Sequence, residues 1–203
     1  MKSISSYKVA AIALCISTMV FAQNNKKNNN MKTRVMMPTM AVAAKGETME
    51  PNIGIGKDNR EAVGKLLNTL LSDEYLLYTK TYNYHWNVTG MSFNDLHLFF
   101  GKQFEQLICF VDMVAERARA LGIQALGTMS EFLKNARLQE QEGVPPAKEM
   151  IKNLLNDHEA IIRSLRVDLE TCVELGDMGT NNILTDLMCK HEKMAWMLRS
   201  YLQ

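Results

Sequence analysis

Apolar residues recur at three- and four-residue steps through most of the chain beyond Lys57. Val63, Leu66, Leu67, Leu70 and Leu71 set that step first. They predict an amphipathic helix from about Asp58 to Asn87, ended by Thr89-Gly90. Phe93-Asn94 opens a second helix, with Asn94 the expected N-cap. Leu96, Phe99, Phe100, Phe104, Leu107, Ile108, Val111 and Val114 carry it to Leu121, and Gly122 stops it. Residues 123–145 read as a long crossover holding one short helix, about Met129 to Arg137. Pro145-Pro146 starts a third long helix reaching Leu175. After Gly176 and Gly179 a fourth runs from about Thr180 to Leu202. No stretch competes with the period of two that a strand requires. The pattern predicts an all-α four-helix bundle with a short extra helix in its central crossover.

Composition narrows the picture. The chain has 203 residues, 47% hydrophobic and 22% charged, which argues against a wholly disordered chain. A formal net charge of +1 excludes, on charge alone, a strongly basic nucleic-acid binder. Four Pro and 11 Gly are too few for a sandwich of many short strands. The four Cys form no CxxC, so neither a zinc ribbon nor a thioredoxin-like site is indicated.

The first 56 residues do not share the helical period. Lys2 and Lys8 precede the apolar run Val9 to Ala22, which ends Val20-Phe21-Ala22. That charged, apolar, small-residue order is the order of a secretory signal peptide over 1–22, and the run is short for a permanent membrane anchor. The expectation is export to the periplasm or outside a bacterial cell, or a cytoplasmic protein if the segment is not a working signal. Removing it takes away Lys2 and Lys8 and no acid, moving the formal charge from +1 to −1. Cys109, Cys172 and Cys189 then remain, which is not a disulfide framework. Residues 23–56 read as a tail rich in Asn, Lys and Met that buries too little to fold. Its thioethers would suit Cu(I) but lack regular spacing. Its lysines are too sparse to argue for DNA. The folded domain is expected over 57–203.

Four side chains stand out as metal ligands: His85, His97, Asp112 and Glu116. Taken singly each has an ordinary reading, since Asp112 and Glu116 beside Arg117 and Arg119 are equally a solvated helix face. His97 and Asp112 lie 15 residues apart on one helix, about 22 Å at 1.5 Å per residue. Ligand distances near 2 Å forbid both from binding one ion within one straight helix. If they act together, two chains must supply them, with the second helices antiparallel across a two-fold axis and His85 joining His97 across the turn. The intrachain di-iron route needs Glu three residues before a His. Tyr82, Asn94, Leu155 and Met188 stand there for His85, His97, His158 and His191, so that route is not expected.

Four long helices joined by one long central connection give the ferritin-like architecture. The residues resemble one branch of it closely. Leu71-Ser72-Asp73-Glu74-Tyr75, Tyr78-Thr79-Lys80-Thr81 and Asn83-Tyr84-His85-Trp86-Asn87-Val88-Thr89-Gly90 resemble the Dps family, the mini-ferritins. So do Phe93-x-x-Leu96-His97, Asp112-x-x-Ala115-Glu116-Arg117 and the C-terminal His191-Glu192-Lys193-x-Ala195-Trp196-Met197-Leu198-Arg199. The resemblance covers roughly residues 57–203. It implies a homododecameric shell that oxidises Fe(II), preferably with hydrogen peroxide or else with oxygen. Ferric mineral is stored inside, which protects against oxidative stress. The family's ferroxidase site, at a two-fold interface, falls on His85, His97, Asp112 and Glu116. Glu116 is then the central ligand, Asp112 supports it, His85 has a weaker or second-metal role, and Trp86 stands beside the site. Glu174, Asp177 and Asp186 are the candidates for an acidic iron-entry pore. Two departures accompany the match. Gly101 stands where many relatives carry an acid, which raises the expectation of weaker ferroxidation. Asn182 stands where an Asp is usual in the pore. The competing expectations are a DNA-condensing structural protein and a ferritin-like cage with weakened chemistry.

Overall fold

A computed structural model describes residues 49–203; the signal-like segment 1–22 and the tail up to residue 48 lie outside the described residues. Five helices and no strand occur among the described residues: α1 (Lys57–Asn87), α2 (Phe93–Ala120), α3 (Met129–Asn135), α4 (Ala147–Glu174) and α5 (Met178–Ser200). Each expected helix is present, with ends displaced by a few residues at most.

The short connections 88–92 and 175–177 force α1–α2 and α4–α5 into antiparallel pairs. Contacts between the pairs fix the remaining directions. Lys80 on α1 meets Asp157 on α4, and Asn59 donates to the Leu175 carbonyl at 3.0 Å, so α1 and α4 run antiparallel. Phe110 on α2 lies against His191 on α5, and Arg117 reaches Thr180, so α2 and α5 are antiparallel as well. The chain must therefore travel the bundle's length between α2 and α4, and that is the work of residues 121–146.

The crossover is held by buried charge. Both oxygens of Asp73 accept from it: the Arg137 amide at 2.6 Å, the Leu138 amide at 3.1 Å and Arg137 Nε at 2.7 Å. Lys80 Nζ donates to the Gln139 carbonyl at 2.7 Å and to Asp157 at 2.5 Å. A capping box between Thr128 and Glu131 starts α3. Leu67, Leu70, Leu77, Tyr84, Phe100, Leu107, Leu154, Ile161, Leu165 and Leu184 are fully buried and fill the bundle.

One boundary differs from the sequence expectation. Asn94 is not the cap of α2. The helix is capped two residues earlier, at Ser92, with the Phe93 amide on the Gly90 carbonyl at 3.0 Å and the Leu96 amide on the Ser92 carbonyl at 2.9 Å, which leaves Asn94 inside the first turn. The buried Arg60 guanidinium gathers the approach to α1 by bonding Glu50 at 2.5 Å, the Ile55 carbonyl at 2.9 Å and the Leu121 carbonyl at 3.1 Å.

Candidate metal site

His85 ends α1 and His97 lies in the first turns of α2, so the five-residue turn brings them face to face. Their rings stack with centroids 3.8 Å apart at 20°. Each Nδ1 bonds the other residue's backbone carbonyl, His85 to His97 O at 2.7 Å and His97 to His85 O at 2.8 Å. A carbonyl only accepts, so each Nδ1 carries its proton and donates. In the neutral ring the unshared pair is then on Nε2, the tautomer that a metal ligand needs. Phe93 continues the stack beyond His97, with centroids 5.3 Å apart. Phe104 meets His85 edge-on at 5.1 Å. Both histidines are half-buried.

Asp112 and Glu116 are exposed one turn apart farther along α2. With Cys109, Met113 and Arg117 they border an open cavity of about 510 Å³. At 100° per residue, about 60° around the helix separates Asp112 from His97, so they share a face while remaining about 22 Å apart. The exposed Ile108 lies between them on that face. The four ligand candidates thus form two pairs at opposite ends of one exposed face. Among the described residues, no group of three or more His, Cys, Asp or Glu gathers within the chain to hold an ion.

The remaining candidates are placed unequally. Trp86 is 61% exposed and packs on Tyr82 at 4.0 Å. Tyr82 in turn stands 6.1 Å from His85, so Trp86 is one ring removed from the imidazole pair. Glu174 and Asp186 are exposed, and Asp186 pairs with Lys190 at 2.6 Å. Asp177 is not available to line a pore. It is buried, its Oδ1 accepts from Arg117 at 2.6 Å and from the Thr180 amide at 2.9 Å, and its Oδ2 accepts from the Thr180 hydroxyl at 2.6 Å. Asp177 caps α5 and ties it to α2.

The bundle also contains a polar chain that sequence reading missed. Glu74, His158 and His191 come from α1, α4 and α5, and all three are fully buried. His191 Nε2 lies 2.8 Å from Glu74 Oε1, and its Nδ1 lies 2.9 Å from His158 Nδ1. Glu74 Oε2 and His158 Nε2 have no partner. Burial pushes the His158 imidazole well below its usual range, and His191 beside it adds to the effect. His158 is therefore neutral. For a neutral His191 donating through Nε2, His158 Nδ1–H donates to His191 Nδ1. Both nitrogens of His191 are occupied, so the three residues form a hydrogen-bonded chain rather than converging on one point.

Comparison with known proteins agrees with the architecture. Residues 64–203 match the ferritin-like domain family. A low temperature-induced protein of Nostoc sp. is 45% identical over 154 residues, covering 75% of this chain and 86% of the relative. DNA protection during starvation protein 2 of Bacillus anthracis is 31% identical over 144 residues, covering 71% of this chain and 98% of that protein. Among solved structures, Dps from Thermosynechococcus elongatus superposes with a TM-score of 0.70 at 31% identity, over 72% of this chain and 94% of that one. The Dps protein of Vibrio cholerae is described as a member of a broad superfamily of ferritin-like diiron-carboxylate proteins. It superposes with a TM-score of 0.73 at 28% identity, over 78% of this chain and 100% of that one.

Proposed function

The chain belongs to the Dps family of ferritin-like proteins, and on that premise we propose that it is an iron-oxidising, iron-storing mini-ferritin. Its substrate is Fe(II), bound where two copies meet. His85 and His97 of one copy supply two imidazole nitrogens, and Asp112 and Glu116 of the other supply carboxylate oxygens. Two nitrogens and two carboxylates suit Fe(II) and leave positions open for an oxidant. Two Fe(II) ions give one electron each to hydrogen peroxide, which takes two protons and leaves as two waters. A two-electron reduction releases no hydroxyl radical, and that is how such a site protects the cell. Ferric product is stored as mineral within a shell of twelve copies.

The observation that carries this reading is the reciprocal pinning of His85 and His97. It commits both Nδ1–H groups to the backbone and leaves two Nε2 atoms for a ligand. The carboxylate pair lies on the same face of α2 at the distance an antiparallel copy would bridge. The exposed Leu98 and Ile108 give that helix apolar area to bury against its copy.

The test is an anaerobic Fe(II) titration of the chain lacking residues 1–22, followed by peroxide while ferric absorbance is recorded. Peroxide-dependent oxidation lost in His97→Ala with Asp112→Ala supports the reading. Absence of saturable Fe(II) binding in the unaltered protein sinks it. We further propose that residues 1–22 direct export, which sequencing the N-terminus of protein recovered outside the cytoplasm would check.

A further inference from the structure

We infer that Tyr201, just past the end of α5, is a positioning residue for His97: it grips the back of the α2 turn whose front carries that imidazole. This rests on the reading of His85 and His97 as metal ligands. Asp95 and Phe99 are four residues apart, so they share one face of α2. His97 lies midway between them in sequence. At about 100° per residue it is turned about 200° from each, so it points to the opposite side of the helix.

The antiparallel packing of α5 on α2 brings the end of one helix to the start of the other. The Tyr201 hydroxyl donates to Asp95 Oδ2 at 2.7 Å, from 106 residues away in the chain. Its ring lies against the Phe99 ring with centroids 4.9 Å apart. Both contacts fall on the face turned away from His97. Burial and the bond to Asp95 push the Tyr201 phenol up to about 12, so the hydroxyl keeps the proton it donates.

The start of α2 has no cap from its own side chains, because Ser92 makes no side-chain cap bond. Its front is tied to the end of α1 by the two Nδ1–carbonyl bonds of the imidazole pair. Those bonds orient the two rings toward each other but do not fix the turn against the rest of the bundle. Tyr201 does so from behind, through a residue on each side of His97. Releasing it frees the turn that aims His97 Nε2. Asp112 and Glu116 stand about four turns farther along α2, outside its reach.

The test compares three variants. Tyr201→Phe keeps the ring on Phe99 and removes only the hydroxyl. Asp95→Ala removes the acceptor, and Asp95→Asn keeps an oxygen to accept from Tyr201. Each is titrated as the assembled protein with Co(II), read by visible absorption, and hydrogen exchange is followed over residues 93–100. Tyr201→Phe and Asp95→Ala should each weaken Co(II) binding by about fivefold, short of the tenfold or more that follows loss of a group bonded directly to a ligand. Both should alter the Co(II) spectrum and speed exchange over 93–100, with α4 and α5 unchanged. Asp95→Asn should stay within about twofold of the unaltered protein, and the double variant Tyr201→Phe with Asp95→Ala should lose no more than either single change, since one bond is removed. Equal losses in Asp95→Asn and Asp95→Ala would assign the effect to charge at the helix start and overturn the inference. Additive losses in the double variant overturn it as well. Normal Co(II) affinity and spectrum in Tyr201→Phe overturn the positioning role alone. Absence of Co(II) binding in the unaltered protein overturns the site reading and the positioning role with it.

Discussion

His85 and His97 restrain one another through the backbone, each Nδ1 bonded to the other's carbonyl at 2.7 and 2.8 Å. The turn between α1 and α2 thereby sets ring orientation as well as chain direction. This places an oriented nitrogen pair at one end of the exposed face of α2 and the carboxylate pair at its other end.

Subunit complementation follows from that division. His97→Ala shells and Asp112→Ala, Glu116→Ala shells should each fail to bind Fe(II) at the shared site. Mixed by co-expression at equal amounts, half of the two-fold pairs carry one chain of each kind. One of the two sites in such a pair then has all four ligands, so about a quarter of the normal sites should return. Anaerobic Fe(II) stoichiometry on the purified mixture measures this. No recovery would mean that the ligands do not come from two chains.

The buried chain Glu74–His191–His158 ties stability to pH. Burial depresses the folded-state pKa of His158, whereas the unfolded value is near 6.5. Between those values the unfolded chain binds the proton that the folded chain refuses, so stability falls as pH drops through about 6.5. Tm should decrease between about pH 7.5 and 5.5. His158→Gln, which keeps a hydrogen-bonding group toward His191, should flatten that slope. Calorimetry at fixed protein concentration decides it, and an unchanged slope in the variant would remove His158 as the cause.

The helical period made most of the bundle legible in the sequence. α1 was expected over Asp58–Asn87 and spans Lys57–Asn87, because its apolar stripe is long and its stop signal at Thr89-Gly90 is strong. Spacing separates His97 from Asp112 by 15 residues of helix, about 22 Å, and the structure places the two at opposite ends of α2. Long-range pairing was not legible. Glu74 lies 117 residues from His191, and no local pattern marks a carboxylate that will be buried against an imidazole. Asp177 looks like a surface acid at a helix start until Arg117, 60 residues away, is seen to neutralise it.

The three described cysteines should separate in thiol labelling. Burial, with smaller contributions from Asp177 and Asp168, pushes the Cys172 thiol up to about 11, so very little thiolate exists near neutral pH. Cys109 and Cys189 are exposed on the single chain. With the chain dissociated into folded subunits, two thiols should react readily and the Cys172 thiol only on unfolding. Mass spectrometry of labelled peptides reads this directly. Early labelling of Cys172 would contradict its placement in the core.

The acids near the α4–α5 turn should divide into a structural one and two surface ones. Asp177 is buried, pairs with Arg117 and caps α5. Asp177→Ala leaves the Arg117 guanidinium, itself mostly buried, without its carboxylate, and also leaves the Thr180 amide uncapped. Losing one partner of a buried pair together with a cap should cost about 3 kcal/mol. Glu174→Gln and Asp186→Asn, both exposed, should change stability by no more than about 0.5 kcal/mol. If these two guide Fe(II) inward, their double variant should slow oxidation at low Fe(II), and raised salt should shrink the difference because screening weakens steering by charge. Chemical denaturation and initial oxidation rates at two ionic strengths check both halves. A stable Asp177→Ala protein would refute the structural assignment. An unaltered rate in the double variant would refute the entry path through this turn.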